Sequence, residues 1–258
     1  MDLNLSNRKF LVCGATSGFG RGVAENLMDE GAKVIAVARD KDKLNELADQ
    51  YKESVSIFSA DLTSEEHIEA LFEKNDLSDL DGALINAGGP PAGKFLETDI
   101  SDWDSAYHSV VRWKIIMTKK LVPIFQKNNY GRLLYIESAS VKQPIENLVL
   151  SNSLRMAVVG MVKSLALDLA SEGITLNIMA PGYHETRAVK RLVTKKSENE
   201  NISYEEAKSQ ITSGIPLGFM GSPDDFGSLA TWLLSEKSRY ITGQTINIDG
   251  GVVKHVFG

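Results

Sequence analysis

The sequence predicts a doubly wound α/β domain, in which helices cover both faces of a parallel seven-stranded sheet. Short β-rich segments alternate with longer helical segments along the whole chain. Several β-rich segments are apolar at nearly every residue, which is typical of strands that are covered on both faces. A glycine-rich turn directly follows the first predicted strand. With 258 residues and no linker or internal repeat, the chain is predicted to form one domain over residues 1–258.

Seven segments have the short length, apolar content and flanking turn residues of strands. They are Lys9–Ala15, Lys33–Arg39, Ser54–Asp61, Gly82–Gly88, Arg132–Ser138, Ile174–Pro181 and Thr245–Asp249. Helical patterns lie between them, near residues 18–30, 41–52, 64–74, 101–127, 151–171 and 223–235. Strands that alternate with helices in this way pair in parallel, so their carboxyl ends meet at one edge of the sheet.

Three helix starts carry capping residues. Thr63 with Glu66, and Ser203 with Glu206, have the spacing of a capping box. Ser222 stands before a proline, which is favoured at the first helical position. These residues predict helices that begin near positions 64, 204 and 223.

Residues 187–213 interrupt the alternation with a basic first half and an acidic second half. Such charge runs are typical of a solvated helical excursion. The alternative is a mobile lid over a site at the carboxyl ends of the strands. Because the glycine-rich turn predicts a site at that edge, we expect a substrate lid at 187–213.

Composition excludes several classes of protein. The chain carries 34 acidic and 28 basic side chains, a formal charge of −6, which gives no reason to expect nucleic acid or an anionic membrane as a partner. No apolar run reaches the roughly 18 residues of a membrane-spanning helix, and the N-terminus has no apolar signal region. One cysteine and four scattered histidines predict neither a disulfide nor a metal site. We expect a cytoplasmic protein whose partner is a small molecule.

The glycine-rich turn predicts a nucleotide site. Glycines in the spacing G-x-x-x-G-x-G let the backbone approach a pyrophosphate and direct a helix N-terminus at it. The alternative is a tight strand-to-helix turn without a ligand. The position of the turn, after the first strand of a long βα series, favours the nucleotide. The predicted contacts are Gly14, Thr16, Ser17, Gly18, Phe19 and Gly20.

The end of the second strand predicts which nucleotide binds. A carboxylate at this position pairs with the ribose of NAD, whereas an arginine accommodates the 2′-phosphate of NADP. The strand ends in Ala38-Arg39, and a guanidinium suits a phosphate. Alternatively, Arg39 is a solvated strand end, and Asp40 changes the local field. We predict NADP(H) in preference to NAD(H).

These residues and four further motifs resemble the short-chain dehydrogenase/reductase family over essentially the whole chain. The motifs are Asp61-Leu62, Asn86-Ala87-Gly88, Pro181-Gly182 with Thr186, and Tyr240-Ile241-Thr242-Gly243-Gln244 running to Asp249-Gly250-Gly251. With Ile215-Pro216-Leu217-Gly218, the chain looks most like the 3-oxoacyl-carrier-protein reductase branch. The resemblance implies a Rossmann-like fold, nicotinamide-dependent oxidoreduction, and a homodimer or homotetramer built partly on the helix near 151–171.

The resemblance also assigns cofactor contacts at the carboxyl edge of the sheet. It implies that Asp61 and Leu62 lie beside the adenine. It implies cofactor contacts from the segment after the fourth strand and, near the nicotinamide, from the segment after the sixth. The residues concerned are Asn86, Ala87, Gly88, Pro181, Gly182 and Thr186.

The catalytic positions depart from the family pattern, which uses an asparagine, a serine and a tyrosine–lysine pair. The resemblance places Ser138 at the serine position, but the other three positions hold Val110, Ser151 and Arg155. Arg155 can bind the ribose and place a fixed positive charge, yet its pKa above about 12 prevents acid catalysis. Ser151 lacks the phenol pKa near 10 that a neighbouring cation lowers. We predict Ser138, Ser151 and Arg155 as catalytic residues and Arg155 as a cofactor contact.

Three hypotheses follow. In the first, the chain reduces a small carbonyl or enoyl compound and stabilises an oxyanion or enolate electrostatically. The proton then comes from water or from Tyr183, His184 or Glu137. Alternatively, it is a nucleotide-binding, catalytically inactive scaffold or sensor. In the third, the match to the family pattern is shifted across Gln143–Leu150, and a tyrosine still reaches the site. However, no tyrosine lies between Tyr135 and Tyr183.

Overall fold

The strands of the protein form one parallel sheet in a computed structural model that describes residues 1–86 and 88–256. The sheet order across these residues is β3-β2-β1-β4-β5-β6-β7. The strands are β1 Lys9–Cys13, β2 Lys33–Ala38, β3 Val55–Ser59, β4 Gly82–Ile85, β5 Gly131–Ile136, β6 Ile174–Pro181 and β7 Thr245–Ile248. The predicted parallel seven-stranded sheet is therefore confirmed.

Helices cover both faces of the sheet, as the apolar strands require. They are α1 Gly18–Asp29, α2 Lys41–Tyr51, α3 Glu65–Lys74, α4 Ile100–Tyr107, α5 Trp113–Asn128, α6 Val149–Asp168, α7 Arg187–Glu200, α8 Tyr204–Ser213 and α9 Pro223–Leu234. One buried core lies between the sheet and the α3, α5 and α6 side. A second core lies beneath α1, α2 and α9 on the opposite face. Burial of two apolar faces is the main source of stability in such a fold.

Several predicted strands extend too far at their carboxyl ends. β1 ends at Cys13 because Gly14 turns the chain with a φ of +71°. β4 ends at Ile85 and β5 at Ile136, two or three residues before the predicted limits. Ser138, which follows β5, is half-buried at the carboxyl edge of the sheet, whereas Glu137 still donates its N–H to the Met179 carbonyl and has a buried side chain.

The helix predicted over 101–127 is divided by a five-residue π-helical segment, His108–Arg112, between α4 and α5. A π segment widens the helix locally, and such segments are common at functional sites. Val110 lies inside this segment and is fully buried. The interruption thus coincides with the position that the family resemblance assigns to an asparagine.

Two of the three predicted helix caps are confirmed. The Ser203 hydroxyl accepts a hydrogen bond from the Glu206 N–H at the start of α8. Ser222 caps α9 in a reciprocal box with Asp225. The prediction for Thr63 is wrong, because Ser64 caps α3 while Thr63 donates its N–H and its hydroxyl to Asp61. The short side chain of Asp61 competes for Thr63 and moves the helix start by one residue.

The segment 187–213 forms two helices, α7 and α8, with a small apolar core of their own. This core contains Val193, Ala207, Ile215 and Met220. In the part of the chain that the structure describes, no helix is long and apolar enough to cross a membrane.

Candidate active site

The glycine turn after β1 has the backbone geometry that a phosphate ligand requires. Gly14 and Gly18 have φ values of +71° and +53°, which L side chains rarely adopt. A Cβ atom on Gly14 would lie 2.7 Å from Asn86 Nδ2, and one on Gly20 would lie 2.2 Å from the Gly14 carbonyl oxygen. Ser17 precedes α1 without a side-chain cap, so its hydroxyl does not occupy the first N–H groups of α1. The turn fits a pyrophosphate.

The start of α7 lies against this turn. Thr186 caps α7 by accepting a hydrogen bond from the Val189 N–H at 3.3 Å. Its methyl group would be 3.4 Å from a Cβ atom built on Gly18. Two predicted cofactor contacts that are far apart in sequence are therefore brought together, and the predicted lid is anchored beside the glycine turn.

Arg39 and Asp61 lie beyond the carboxyl ends of β2 and β3, where contacts with adenosine are predicted. Arg39 is exposed immediately after β2, and Ser59 donates a hydrogen bond to its carbonyl oxygen at 3.3 Å. Burial alone would raise the pKa of Asp61, but hydrogen bonds from Thr63 and the charge of Arg39 lower it below its ordinary value. The charges of Arg39 and Asp61 thus interact with each other.

The remaining predicted cofactor contacts divide into three groups. Gly88 is exposed after β4, and Asn86 is half-buried against Gly14. Pro181 ends β6, and Gly182 donates its N–H to the Ile248 carbonyl, with too little room for a side chain beside Asp249. Leu62 packs partly against the core, which makes it a poorer candidate for adenine contact. Ala87 lies outside the described residues.

Three charged side chains, Lys114, Glu137 and Arg155, form a buried cluster that includes one of the predicted catalytic residues. The Glu137 carboxylate accepts hydrogen bonds from Lys114 Nζ and, at 3.0 Å, from Arg155 Nη1. Arg155 Nε donates to the Ser151 hydroxyl at 3.0 Å, since the two residues are one helical turn apart on α6. The side chains of Lys114 and Glu137 are inaccessible to solvent, and that of Arg155 is 8% exposed. Ser151 and Arg155 are thus held rigidly together.

Ser138 lies next to this cluster without joining it. Its hydroxyl accepts a hydrogen bond from the Ser140 N–H at 3.1 Å, and it is half-buried. Among the described residues, no hydrogen bond connects Ser138 with Ser151 or Arg155. The buried Ser140 hydroxyl also has no partner within the described chain. Of the three predicted catalytic residues, the structure directly pairs only Ser151 and Arg155.

Lys114 is the site residue that the sequence analysis missed. It lies on the buried face of α5 and shares that face with Met117 and Leu121. Burial lowers the pKa of Lys114 and the charge of Arg155 lowers it further, while Glu137 opposes the shift. A lysine within an otherwise apolar helical stripe was the available signal, because lysine is almost never fully buried without a charged partner.

The three candidate replacement acids have structural contacts of their own. Glu137 binds two cations, so its carboxylate is an ion-pair acceptor rather than a proton donor. Tyr183 packs against the apolar core of α7 and α8. His184 is buried rather than at the surface, edge-on to Phe19 and Phe226 at centroid distances of 5.0 and 6.0 Å. These contacts give each of the three a packing or ion-pairing role.

The buried His184 predicts a loss of stability in acid. Burial lowers the pKa of His184, so the unfolded chain binds its proton more readily than the folded chain does. We expect the free energy of unfolding to fall as pH drops below about 6.5, the ordinary histidine value. His184→Phe should remove this component. Urea unfolding of both proteins between pH 7.5 and pH 5 measures it, and parallel pH profiles would contradict the assignment.

Cys13, the single cysteine of the chain, lies fully buried at the end of β1. Burial raises the pKa of its thiol to about 12. A thiol with so high a pKa is a poor nucleophile, so Cys13 serves as a small buried residue. No group of three or more His, Cys, Asp or Glu side chains in the described ranges is placed to hold a metal ion.

Known proteins share this arrangement over almost the whole chain. A family model described as Enoyl-(Acyl carrier protein) reductase matches residues 14–253. NADPH-dependent reductase BacG of Bacillus subtilis (strain 168) is 28% identical over 259 residues, which cover 98% of this chain and 100% of BacG. The 3-oxoacyl-(acyl-carrier-protein) reductase FabG of Aquifex aeolicus (strain VF5) is 30% identical over 258 residues, with the same coverage of 98% and 100%.

Solved structures show a similarity over almost the whole chain as well. An actinorhodin polyketide ketoreductase variant crystallised with NADPH has a TM-score of 0.90 at 28% identity, covering 96% of this chain and 98% of that one. The doubly wound sheet with a phosphate-type glycine turn at its carboxyl edge defines a Rossmann-like oxidoreductase. This chain belongs to the short-chain dehydrogenase/reductase family and resembles its FabG-like members.

Proposed function

We propose that the protein is an NADP(H)-dependent oxidoreductase that reduces a small carbonyl or enoyl compound without a tyrosine–lysine pair. The observation that carries the proposal is the convergence of three features at one edge of the sheet. These are the glycine turn, the exposed Arg39 guanidinium and the rigid Ser151–Arg155 pair. The NADPH-dependent relatives support the choice of cofactor.

The cofactor contacts follow from the positions of the residues. The N–H groups at the start of α1 would hold the pyrophosphate, and Arg39 would pair with the 2′-phosphate. Thr186 beside Gly18 would close the phosphate site from the lid. The bound cofactor supplies a hydride. We propose helices α7 and α8 as the lid that excludes water during its transfer.

In this proposal, Arg155, Ser151 and Glu137 stabilise negative charge on the substrate and do not transfer a proton. Arg155 would place a fixed positive charge near the reacting oxygen, and Ser151 would donate a hydrogen bond to it. Glu137 holds the Arg155 guanidinium in one orientation. An oxyanion or enolate stabilised in this way can take its proton from water, which suits an activated C=C or C=O bond.

A cofactor titration followed by a turnover assay tests this function. Purified protein is titrated with NADPH and NADH by fluorescence, then assayed for NADPH oxidation against paired ketone and enoyl compounds. Tight NADPH binding with turnover supports the proposal. Tight binding without turnover on any compound favours the alternative of a nucleotide-binding scaffold or sensor. Absence of binding to either nucleotide overturns the proposal.

Arg39→Ala is expected to weaken NADPH binding by about 10- to 100-fold, since a charge-assisted hydrogen bond contributes about 1.5–3 kcal/mol. NADH binding should change by less than about threefold, because NADH lacks the phosphate. Lys33→Ala, at the opposite end of the same strand, is a matched control with an exposed cation. Equal losses of NADPH and NADH affinity in Arg39→Ala would exclude the 2′-phosphate role.

We also propose a homodimer or homotetramer that uses α6. Met156 and Leu167 on this helix are 46% and 73% exposed, although both are large and apolar. Exposed apolar side chains that recur along one helix favour a protein partner. Light scattering after size-exclusion chromatography measures the mass, and a monomer at micromolar concentration would contradict the assembly.

A further inference from the structure

The buried charges at the site do not balance. With Lys114 and Arg155 protonated and Glu137 ionised, the cluster would have a formal charge of +1. All three side chains are almost completely removed from solvent. A buried charge without a counter-charge is strongly unfavourable, and a simple Glu137–Arg155 pair would already have been neutral. The second cation therefore requires an explanation.

The surrounding ionisable groups do not supply the missing negative charge. The Cys13 thiol, whose pKa lies near 12, remains neutral at physiological pH. Burial raises the pKa of Tyr135, whose hydroxyl is hydrogen-bonded to Thr118, so its phenol is neutral as well. Cys13 interacts electrostatically with Lys114, and Tyr135 interacts electrostatically with Glu137. A bound anion would supply the missing charge and would keep Lys114 protonated against the burial that lowers its pKa.

The Arg155 guanidinium has one nitrogen, Nη2, that is available to a ligand at the candidate active site. Arg155 uses Nε for Ser151 and Nη1 for Glu137, and no described residue accepts a hydrogen bond from Nη2. Nη2 would lie 3.2 Å from a Cβ atom on Gly89, in the exposed loop after β4. Its N–H groups and the Ser151 hydroxyl are thus presented together at the carboxyl edge of the sheet. A guanidinium edge matches the planar oxygens of a carboxylate.

We propose that the substrate is a carboxylic acid, an oxo acid or an enoic acid, whose carboxylate binds Arg155 Nη2 beside the reacting oxygen that the Ser151 hydroxyl contacts. The surplus positive charge of Lys114 makes the site selective for this anion. The inference rests on the proposed function and narrows its substrate class. The phosphates of the cofactor do not substitute for the carboxylate, because the glycine turn and Arg39 bind them elsewhere on the edge.

Matched acids and esters test the substrate class. Protein saturated with NADPH is titrated calorimetrically with pyruvate, acetoacetate and crotonate, and with the methyl ester of each. NADPH oxidation is followed with the same compounds. We expect at least one acid to bind tenfold or more tightly than its ester. Equal affinity within every pair, in protein that binds NADPH, overturns the inference alone. Failure to bind NADPH overturns the proposed function instead.

Lys114→Met tests the role of the surplus charge. The substitution leaves a neutral Glu137–Arg155 pair and a side chain of similar length. We expect the preference for acid over ester to fall about tenfold, while NADPH affinity changes less than twofold. Lys119→Met, an exposed lysine of the same helix, is the control and should keep the preference. A preference that persists in Lys114→Met overturns the inference.

Arg155→Lys gives an independent measurement if Lys114→Met fails to fold. It keeps the charge but removes the planar fork that binds two carboxylate oxygens. We expect acid affinity to fall at least fivefold and ester affinity to stay within twofold. Equal losses for acid and ester would mean that Arg155 does not contact the carboxylate, which also overturns the inference.

Discussion

Glu137→Gln is expected to lower the free energy of unfolding by about 3–5 kcal/mol, or to prevent folding altogether. The carboxylate is the one group that the structure shows between the Lys114 ammonium and the Arg155 guanidinium. Removal of its charge leaves two cations side by side, both almost completely removed from solvent. Urea unfolding at pH 7, followed by circular dichroism, measures the loss. The variant has nearly the same volume, so a packing defect does not explain the effect.

Lys114→Met provides the comparison for this prediction. It removes a cation and leaves a neutral pair, so we expect stability within about 1 kcal/mol of the parent protein. The double variant Lys114→Met/Glu137→Gln should recover part of the loss in Glu137→Gln, because only one buried cation remains. A loss below about 1 kcal/mol in Glu137→Gln alone would show that Lys114 is already neutral in the folded protein.

The double variant Ser151→Tyr/Arg155→Lys is expected to raise ketone reduction by about 10²- to 10⁴-fold, the usual contribution of a positioned general acid. The two positions are one helical turn apart on α6, so a lysine at 155 lies beside a phenol at 151. A neighbouring ammonium lowers the phenol pKa toward neutrality, whereas the serine at position 151 has no phenol to ionise. NADPH oxidation with a small neutral ketone measures the gain.

A matched variant separates acid catalysis from pocket shape. Ser151→Phe/Arg155→Lys has nearly the same bulk but lacks the hydroxyl, so it should show no gain. If the tyrosine variant folds, binds NADPH and still shows no gain, the pocket itself is adapted to another substrate. The buried Val110, which cannot hold a relay water, would then be the next position to change.

The fold was predictable because apolar strands and a glycine turn are local signals. Residues Lys33 to Ala38 are apolar after the first residue, and the structure buries that run completely. The limits of the strands were less accurate, since the last residues before a turn remain apolar after the ladder ends. Likewise, Thr63 was predicted as a cap because spacing alone does not reveal that Asp61 competes for it.

The site was only partly predictable from the sequence. Ser151 and Arg155 are four residues apart on one helix, so their pairing follows from helical geometry. The cluster with Lys114 and Glu137 joins α5, the end of β5 and α6, and such a contact depends on tertiary packing. The burial of His184 likewise depends on tertiary packing, because Phe226 is far away in the sequence.

The buried position of Cys13 allows the reactivity of its thiol to report how often the folded protein opens. A single thiol, buried beneath the glycine turn at the end of a central strand, reacts with a disulfide reagent only when that strand separates from its neighbours. The rate of labelling under native conditions therefore measures how often the centre of the sheet opens. Every variant described above retains this thiol, so their opening rates can be compared without attaching a probe, and protection by added NADPH would report binding through the same reaction.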